Sequence, residues 1–362
     1  CPSFEALRLK VAIMSEVNLD NFKSLDALRK VFSTYRELSL TERPIVFIVI
    51  GNFVQKATIN GGGHAGSIEY NEYFDSLSII LADYPELLQH STFVFVPGDN
   101  DPWSSTFTAG AASIVPRQSI PDMFTSRVKR AFASANSESR LSQASEPAGE
   151  AIWTSNPSRL TVFGPLHDIA IFRDDITGRL RRNAVATKQG ENERDSAFSQ
   201  DAGAEAGLAT ANNETDAQAY PADAKARQSF SSAHTARKLV KTILDQGSIS
   251  PFPQSMRPVL WDHASSLQLY PLPTAFILAD PEVAPFCMTY EGCHVMNPGR
   301  FISEEGSTCM TWVEYDILKN RGRVKEERLY QIITAILLVL RILFHVLRPT
   351  ELSKAEKLIA CN

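Results

Sequence analysis

The sequence has few cysteines, and none of them pair at metal-binding or redox spacing. The five are scattered, and no CxxC pair occurs among Cys1, Cys287, Cys293, Cys309 and Cys361. An odd, scattered set fits neither a disulfide framework nor a structural zinc site. We therefore expect the chain to work in a reducing compartment.

A surplus of positive charge is also missing. The 362 residues carry a net charge of −5, and the isoelectric point is about 5.9. Proteins that grip the phosphate backbone of DNA usually carry a basic surplus. Tight, direct binding to DNA is therefore not expected. The 44% share of hydrophobic residues predicts instead a well-packed core.

A clear membrane-spanning segment is absent as well, and so is an initiator Met or signal peptide. The apolar run at 332–347 contains Arg341, and at about 16 residues it is shorter than the ~20 residues that cross a bilayer. We expect a docked or protruding helix there and no membrane anchor. No initiator Met or signal peptide precedes the first predicted strand, so a fragment or processed product is expected.

Short apolar runs and helical patterns alternate in the first third of the chain. The patterns predict strands at 9–14, 45–50 and 92–96, with helices at 21–35 and 73–88 between them. Later runs predict further strands at 159–162, 169–172, 275–278, 294–296 and 310–315. This order predicts an α/β fold, with a mostly parallel or mixed sheet under helices and a second sheet from the later strands.

Two stretches interrupt this pattern. Residues 187–235 are rich in Ala, Asp, Glu, Asn, Gln and Ser, and they have almost no large apolar residue before Phe230. Such a segment cannot offset its ordering entropy, so we predict a disordered surface insertion. A weaker low-complexity stretch at 133–150 predicts a loop expansion. The domain prediction is thus 1–330 with this insertion, followed by a separate helical tail at 331–362.

Each buried strand of the first half ends in a short polar loop. The loops read Ser-Glu-Val-Asn at 15–18, Gly-Asn at 51–52 and Gly-Asp-Asn-Asp at 98–101. Strand carboxyl ends are where α/β folds place their sites. The order and spacing resemble the signature of calcineurin-like phosphoesterases: Asp-x-His, then Gly-Asp, then Gly-Asn-His-Asp or Glu. That family holds two metal ions at these loops.

The ligands of that signature are largely replaced in this chain. Glu16 and Asn18 stand where the family has its first Asp and His, and Asn52 stands at the bridging Asp. Asp99, Asn100 and Asp101 follow the Gly of the third loop, so Asn100 replaces the histidine that acts as general acid. A neutral amide offsets little of the repulsion between two dications. We predict that no metal, no cofactor and no catalytic residue is present.

The sequence places no histidine in the motif, and it leaves two alternative roles open for the carboxylates, Asp280 among them. None of the seven histidines stands in a motif position, and the later stretch that should hold one reads Ala-Asp-Pro-Glu at 279–282. Asp99 and Asp101 are either turn formers and helix caps or residual cation ligands. The enzyme alternative is a metal-dependent phosphodiesterase with a reduced site built from Glu16, Asp99, Asp101 and Asp280.

The segments around these loops resemble one family closely, the B subunits of DNA polymerase epsilon. The resemblance rests on FVFVPGDNDPW at 93–103, IVPRQSIP at 114–121, TSNPSR at 154–159, IFRDD at 171–175, RRN at 181–183, LVKTILDQGSISPFP at 239–253, VLWDHASSLQLYPLP at 259–273 and MNPGRF at 296–301. They run in the family's order over residues 9 to about 328. NPG by itself is common to all replicative B subunits.

The resemblance implies a calcineurin-like metallophosphoesterase fold, in which two facing mixed β-sheets are flanked by helices in four layers. It also implies a nuclear, non-catalytic scaffold subunit that joins the C-terminal region of the catalytic subunit of DNA polymerase epsilon to other replisome subunits. DNA would be contacted only indirectly. The B subunit of polymerase delta or alpha is the alternative. The upstream OB and helical domains of the family are missing here, and the tail matches nothing in its pattern.

Three aromatic residues carry the binding alternative. Trp103, Trp261 and Tyr270 lie in loops of the resemblance segments. Trp and Tyr serve both cores and interfaces, so these residues are either buried packing groups or a docking surface.

Overall fold

The computed structural model of the chain describes residues 9–56, 64–101, 114–141, 149–164, 167–183, 221–303 and 309–329. The described strands are β1 (Lys10–Ser15), β2 (Val46–Ile50), β3 (Thr92–Val96), β4 (Ala151–Trp153), β5 (Ser158–Val162), β6 (His167–Arg173), β7 (Ala275–Ala279), β8 (Phe286–Tyr290), β9 (Cys293–Asn297), β10 (Cys309–Asp316) and β11 (Arg321–Arg328). The helices are α1 (Phe22–Glu37), α2 (His64–Ala82), α3 (Pro85–His90), α4 (Asp122–Leu141), α5 (Ile176–Asn183) and α6 (Pro221–Gln246), with a 3₁₀ helix at Trp261–Leu267.

The strands form two mixed sheets. The first has the order β11-β10-β1-β2-β3-β4, with β1 to β4 parallel and β10 and β11 antiparallel. The second has the order β5-β6-β7-β9-β8, with β6, β7 and β9 parallel and the two edge strands antiparallel. The parallel strands bring their carboxyl ends to one edge of each sheet.

The alternation of side chains along the central strands explains how the sheets and helices are layered. In β2, Phe47 and Val49 pack against α1 to α4, whereas Ile48 and Ile50 pack against the second sheet. Successive side chains of a strand point to opposite faces, so an unbroken apolar run predicts a strand covered on both sides. The outer face of the second sheet packs against α6. The predicted arrangement of two facing mixed sheets flanked by helices is confirmed.

Several sequence predictions need correction at their boundaries. The helix predicted at 73–88 is two helices, because Pro85 begins α3 and cannot continue α2. Residues 133–141 belong to α4 and not to a loop, and residues 221–235 form the first part of α6. The predicted insertion therefore ends earlier, since Ala236, Leu239 and Val240 draw the helix onto the sheet. Residues 187–220 and the tail at 331–362 lie outside the described residues.

A buried histidine joins the two sheets. His294 in β9 accepts a hydrogen bond at Nε2 from the backbone N–H of Gly322 in β11 at 2.7 Å, and its Nδ1 lies 2.9 Å from Oγ1 of Thr289. Burial, with the nearby charge of Arg321, lowers the pKa of His294 from 6.5 to about 4. The neutral ring is therefore the form that the folded protein requires.

This pKa predicts a loss of stability on acidification. Between pH 6.5 and 4 the unfolded chain binds a proton at His294 that the folded protein does not, so the histidine's contribution falls by about 1.4 kcal/mol per pH unit. The contribution is fully present above pH 6.5. As the pH falls through this range, we expect urea unfolding to show that the wild type loses stability relative to His294→Gln at this slope. His263→Gln, at an exposed position, is the control, and a difference independent of pH would contradict the prediction.

Candidate functional site

The three polar loops of the first sheet meet at its carboxyl edge. Asn18 donates from Nδ2 to the backbone oxygen of Asn52 at 2.8 Å. Asn52 accepts at Oδ1 from the backbone N–H of Asn100, also at 2.8 Å. The side-chain amide of Asn52 therefore ties the third loop to the second. The structure brings together six of the seven sequence-predicted site residues, and Asp280 is the exception.

Glu16 is held by an arginine of the second sheet. Arg173, the last residue of β6, donates to Glu16 Oε1 from Nε at 2.8 Å and from Nη2 at 2.5 Å. The amide of Asn52 adds a longer contact to the same carboxylate at 3.3 Å. Glu16 has a φ of 58°, a left-handed conformation that is costly for a residue with a side chain. The two-pronged bond from Arg173 stabilises that conformation.

Asp99 lies among three guanidinium groups. It contacts Arg257 at 2.9 Å, with Arg173 and Arg179 farther away at 3.6 and 3.7 Å. Asp174 contacts Arg257 at 3.1 Å and Arg179 at 3.2 Å. We call the group formed by three arginines and four carboxylates the arginine cluster: Arg173, Arg179, Arg257, Glu16, Asp99, Asp174 and Asp175.

Burial makes these charges interdependent. The side chain of Arg173 is only 3% exposed and that of Arg257 only 2%. Burial lowers the pKa of Arg173, but the carboxylates of Glu16, Asp175 and Asp99 outweigh it and raise that pKa above its ordinary value. A buried ion is tolerated only when it is paired and hydrogen-bonded, so removing either sign would leave the other uncompensated.

Asp101 closes the third loop. Its carboxylate is fully buried and accepts hydrogen bonds from the backbone N–H groups of Gly98 and Phe53 and from the hydroxyl of Tyr70. Burial raises the pKa of Asp101 to about 6, against the opposing effect of Arg117 and these hydrogen bonds. Asp101 thus acts as an internal hydrogen-bond acceptor for the loop.

Asp280 follows β7 in the second sheet and serves the start of α5. Its Oδ2 accepts from the backbone N–H of Thr177 at 2.8 Å, and its Oδ1 accepts from that of Glu282 at 2.9 Å. A carboxylate in the first turn of a helix satisfies orphan N–H groups and favours the helix dipole. Burial raises the pKa of Asp280.

The carboxylates at this edge are bonded to other groups of the protein. A pair of divalent ions is held in proteins by several carboxylates and imidazoles, with one carboxylate bridging. Here Glu16 and Asp99 are bonded to guanidinium groups, Asp101 accepts backbone N–H groups, and the amide oxygen of Asn52 accepts from Asn100. Within the described parts of the chain, no group of three or more His, Cys, Asp or Glu side chains is placed to hold a metal.

Sequence reasoning missed the arginines. Arg173 ends the buried strand β6 and Asp174 follows it directly, the same signal that singled out the loops of the first sheet, so this pair could have been found. Arg179 and Arg257 lie in α5 and in a proline-rich loop, and no spacing rule marks them.

Of the three aromatic residues singled out in the sequence, two are exposed and one lies outside the described residues. Trp261 is 84% exposed and Tyr270 is 90% exposed, while Trp103 lies outside the described residues. Leu260 and Leu272 beside them are also exposed. Large exposed apolar side chains that lie close together in the sequence are candidates for a binding surface. We define the aromatic face by Leu260, Trp261, Tyr270 and Leu272.

The helices that the structure describes do not reach across a membrane. None of them combines the length and the apolar character that crossing a bilayer requires. The apolar run at 332–347 falls outside this part of the chain.

Most of the amino-acid sequence matches a known family. Residues 11–288 match the family described as the B subunit of DNA polymerases alpha and epsilon, and the chain belongs to that family. A solved structure from Thermus thermophilus aligns at a TM-score of 0.35 and 12% identity over 88% of this chain and 98% of that one, a similarity too low to support a functional comparison.

Within that family, the similar curated proteins are epsilon subunits. The B subunit of DNA polymerase epsilon from Schizosaccharomyces pombe is 34% identical over 289 residues, which cover 80% of this chain and 40% of the relative. The protein of that name from Saccharomyces cerevisiae is 30% identical, with 84% and 40% covered. The Arabidopsis thaliana protein of that name is 24% identical, with 86% and 45% covered. The chain thus spans about two fifths of the length of these relatives.

Proposed function

We propose that this chain is the phosphoesterase-like part of a B subunit of DNA polymerase epsilon, a non-catalytic scaffold that supports nuclear DNA replication through protein contacts. Family membership supports the B-subunit role. The relatives named as epsilon subunits favour epsilon over alpha, and the net charge of −5 favours indirect contact with DNA.

The second part of the proposal is that the site is a degenerate metal centre in which arginines have taken over the role of the cations. One observation supports this part of the proposal. The guanidinium of Arg173 lies between Glu16 and Asp99, which belong to the loops at which related enzymes hold metal. A guanidinium neutralises these carboxylates and fixes the loops. It cannot coordinate a water molecule and lower the pKa of that water as a metal ion does. The scaffold would then keep its shape without the chemistry.

The third part concerns the partner surface. The aromatic face is exposed, and aromatic residues are enriched at the energetic centres of protein interfaces. We assign it to the contact with the C-terminal region of the catalytic subunit. Further replisome subunits would join through the rest of the surface.

The test is co-purification with that C-terminal region. We expect the chain to retain it, and the double variant Trp261→Ala with Tyr270→Ala to weaken retention by tenfold or more, since each buried aromatic anchor contributes about 2 kcal/mol or more. Phe22→Ala, at a 70% exposed position on α1, is the matched control. Selective retention of the catalytic chain of polymerase delta or alpha would contradict the assignment. So would metal-dependent hydrolysis of bis-nitrophenyl phosphate that Asp101→Ala abolishes.

A further inference from the structure

A second surface, distinct from the aromatic face, has the shape of a binding cleft. It lies between α5, α6 and the proline-rich loop 251–256, and its volume is about 450 Å³. The floor is apolar and is formed by Leu180, Leu239, Phe252, Pro253 and Met256. Clefts of about 300–1,000 Å³ with a largely apolar lining are typical of ligand sites. The flexible side chain of Met256 can adapt to an inserted side chain.

The rim of this cleft is basic. Arg181 from α5 and Lys238 from α6 line it, and both are exposed. Neither forms an ion pair with any of the residues that the structure describes.

The acidic groups nearby are engaged elsewhere. Asp174 and Asp175 belong to the arginine cluster, and Asp245 pairs with Lys241 one turn along α6. Glu282 lies against Gly178 on α5, close to Arg182. The cleft therefore combines an apolar lining with positive charge from two different helices, on a chain whose net charge is −5.

We infer that this cleft binds an acidic peptide segment of a partner protein. A bulky apolar side chain such as Leu or Phe would enter the floor, and Asp or Glu on either side of it would meet Arg181 and Lys238. Charge complementarity selects the acidic sequence, because opposite potentials steer association and like charges reject the wrong partner.

The test uses fluorescence anisotropy with the full chain and a labelled synthetic peptide of about a dozen residues, in which Phe and Leu alternate with Asp and Glu. Two matched peptides replace either the acids with Lys or the apolar residues with Ser. We expect the first peptide to bind at least about tenfold more tightly than either of the others. The double variant Arg181→Glu with Lys238→Glu should weaken it at least about tenfold and strengthen the lysine peptide. That gain also shows that the variant is folded.

The control variant is Lys23→Glu with Arg323→Glu, an equal charge reversal at exposed positions far from the cleft. Equal binding of the serine peptide, or no effect of reversing the rim charges, would overturn the inference. Self-association that the rim reversal abolishes would identify a second copy as the occupant. Peptide binding that appears only after Glu191→Gln, Glu193→Gln and Asp195→Asn would identify the chain's own acidic segment. Either result would also overturn it.

Discussion

Replacing Arg173 with methionine should lower the free energy of unfolding by about 3–5 kcal/mol, the typical cost of leaving a buried charge without its partner. Arg173 is bonded to Glu16 and contacts Asp99 and Asp175, so its removal leaves several carboxylates without their shared cation. Methionine retains much of the apolar stem, and the loss is therefore electrostatic. Chemical denaturation at neutral pH measures it.

The control for this experiment is Arg29→Met. Arg29 pairs with Asp26 at 3.7 Å on the surface of α1, where both side chains are about half exposed. Exposed pairs contribute between 0 and about 1 kcal/mol, so this substitution should be nearly neutral. Adding Glu16→Gln to Arg173→Met should recover part of the loss, because it removes one of the unpaired charges. A loss under about 1 kcal/mol for Arg173→Met would refute the structural role of the arginine cluster.

Gly98→Ala should be similarly damaging, for a steric reason. A methyl group at Gly98 would overlap the side-chain oxygen of Asn52 and lie only 2.6 Å from its backbone nitrogen. The two loops cannot move apart freely. Oδ1 of Asn52 accepts a hydrogen bond from the N–H of Asn100, and the carboxylate of Asp101 accepts one from the N–H of Gly98. Overpacking of this kind typically costs 1–3 kcal/mol, and we expect about 3 here because the contact is with backbone.

Gly178→Ala is the matched control and should have the opposite sign. Gly178 lies inside α5, and a methyl group there would meet nothing closer than the side chain of Glu282 at 3.7 Å. Alanine stabilises a helix interior relative to glycine by about 0.5–1 kcal/mol. The same urea titrations decide both variants. A neutral Gly98→Ala would show that the two loops are not held in register as described.

Strands with a strong apolar pattern are the ones that the sequence predicted well. The strands β2 and β3 were predicted within one residue, because continuous β-branched and aromatic runs bounded by Pro and Gly have few other solutions. Strand β11 was missed because it is an edge strand in which charged residues alternate with small or polar ones. Strand β4 has only three residues and carries no period. Short or exposed strands depend on their neighbours for pairing and leave little apolar signal.

By itself, the sequence determined which residues end the parallel strands, and hence that Glu16, Asn52 and Asp99 would lie at one edge. Those residues resemble a metal site with its ligands altered. Only the tertiary structure decided what neutralises the carboxylates: Arg173 and Arg257 come from elements 157 and 158 residues away from their partners. Strand periodicity is a property of neighbouring residues, whereas the choice of an ion partner depends on how two sheets pack. Because the entropy of closing a loop grows only slowly with its length, separation along the chain says little about which charges will meet.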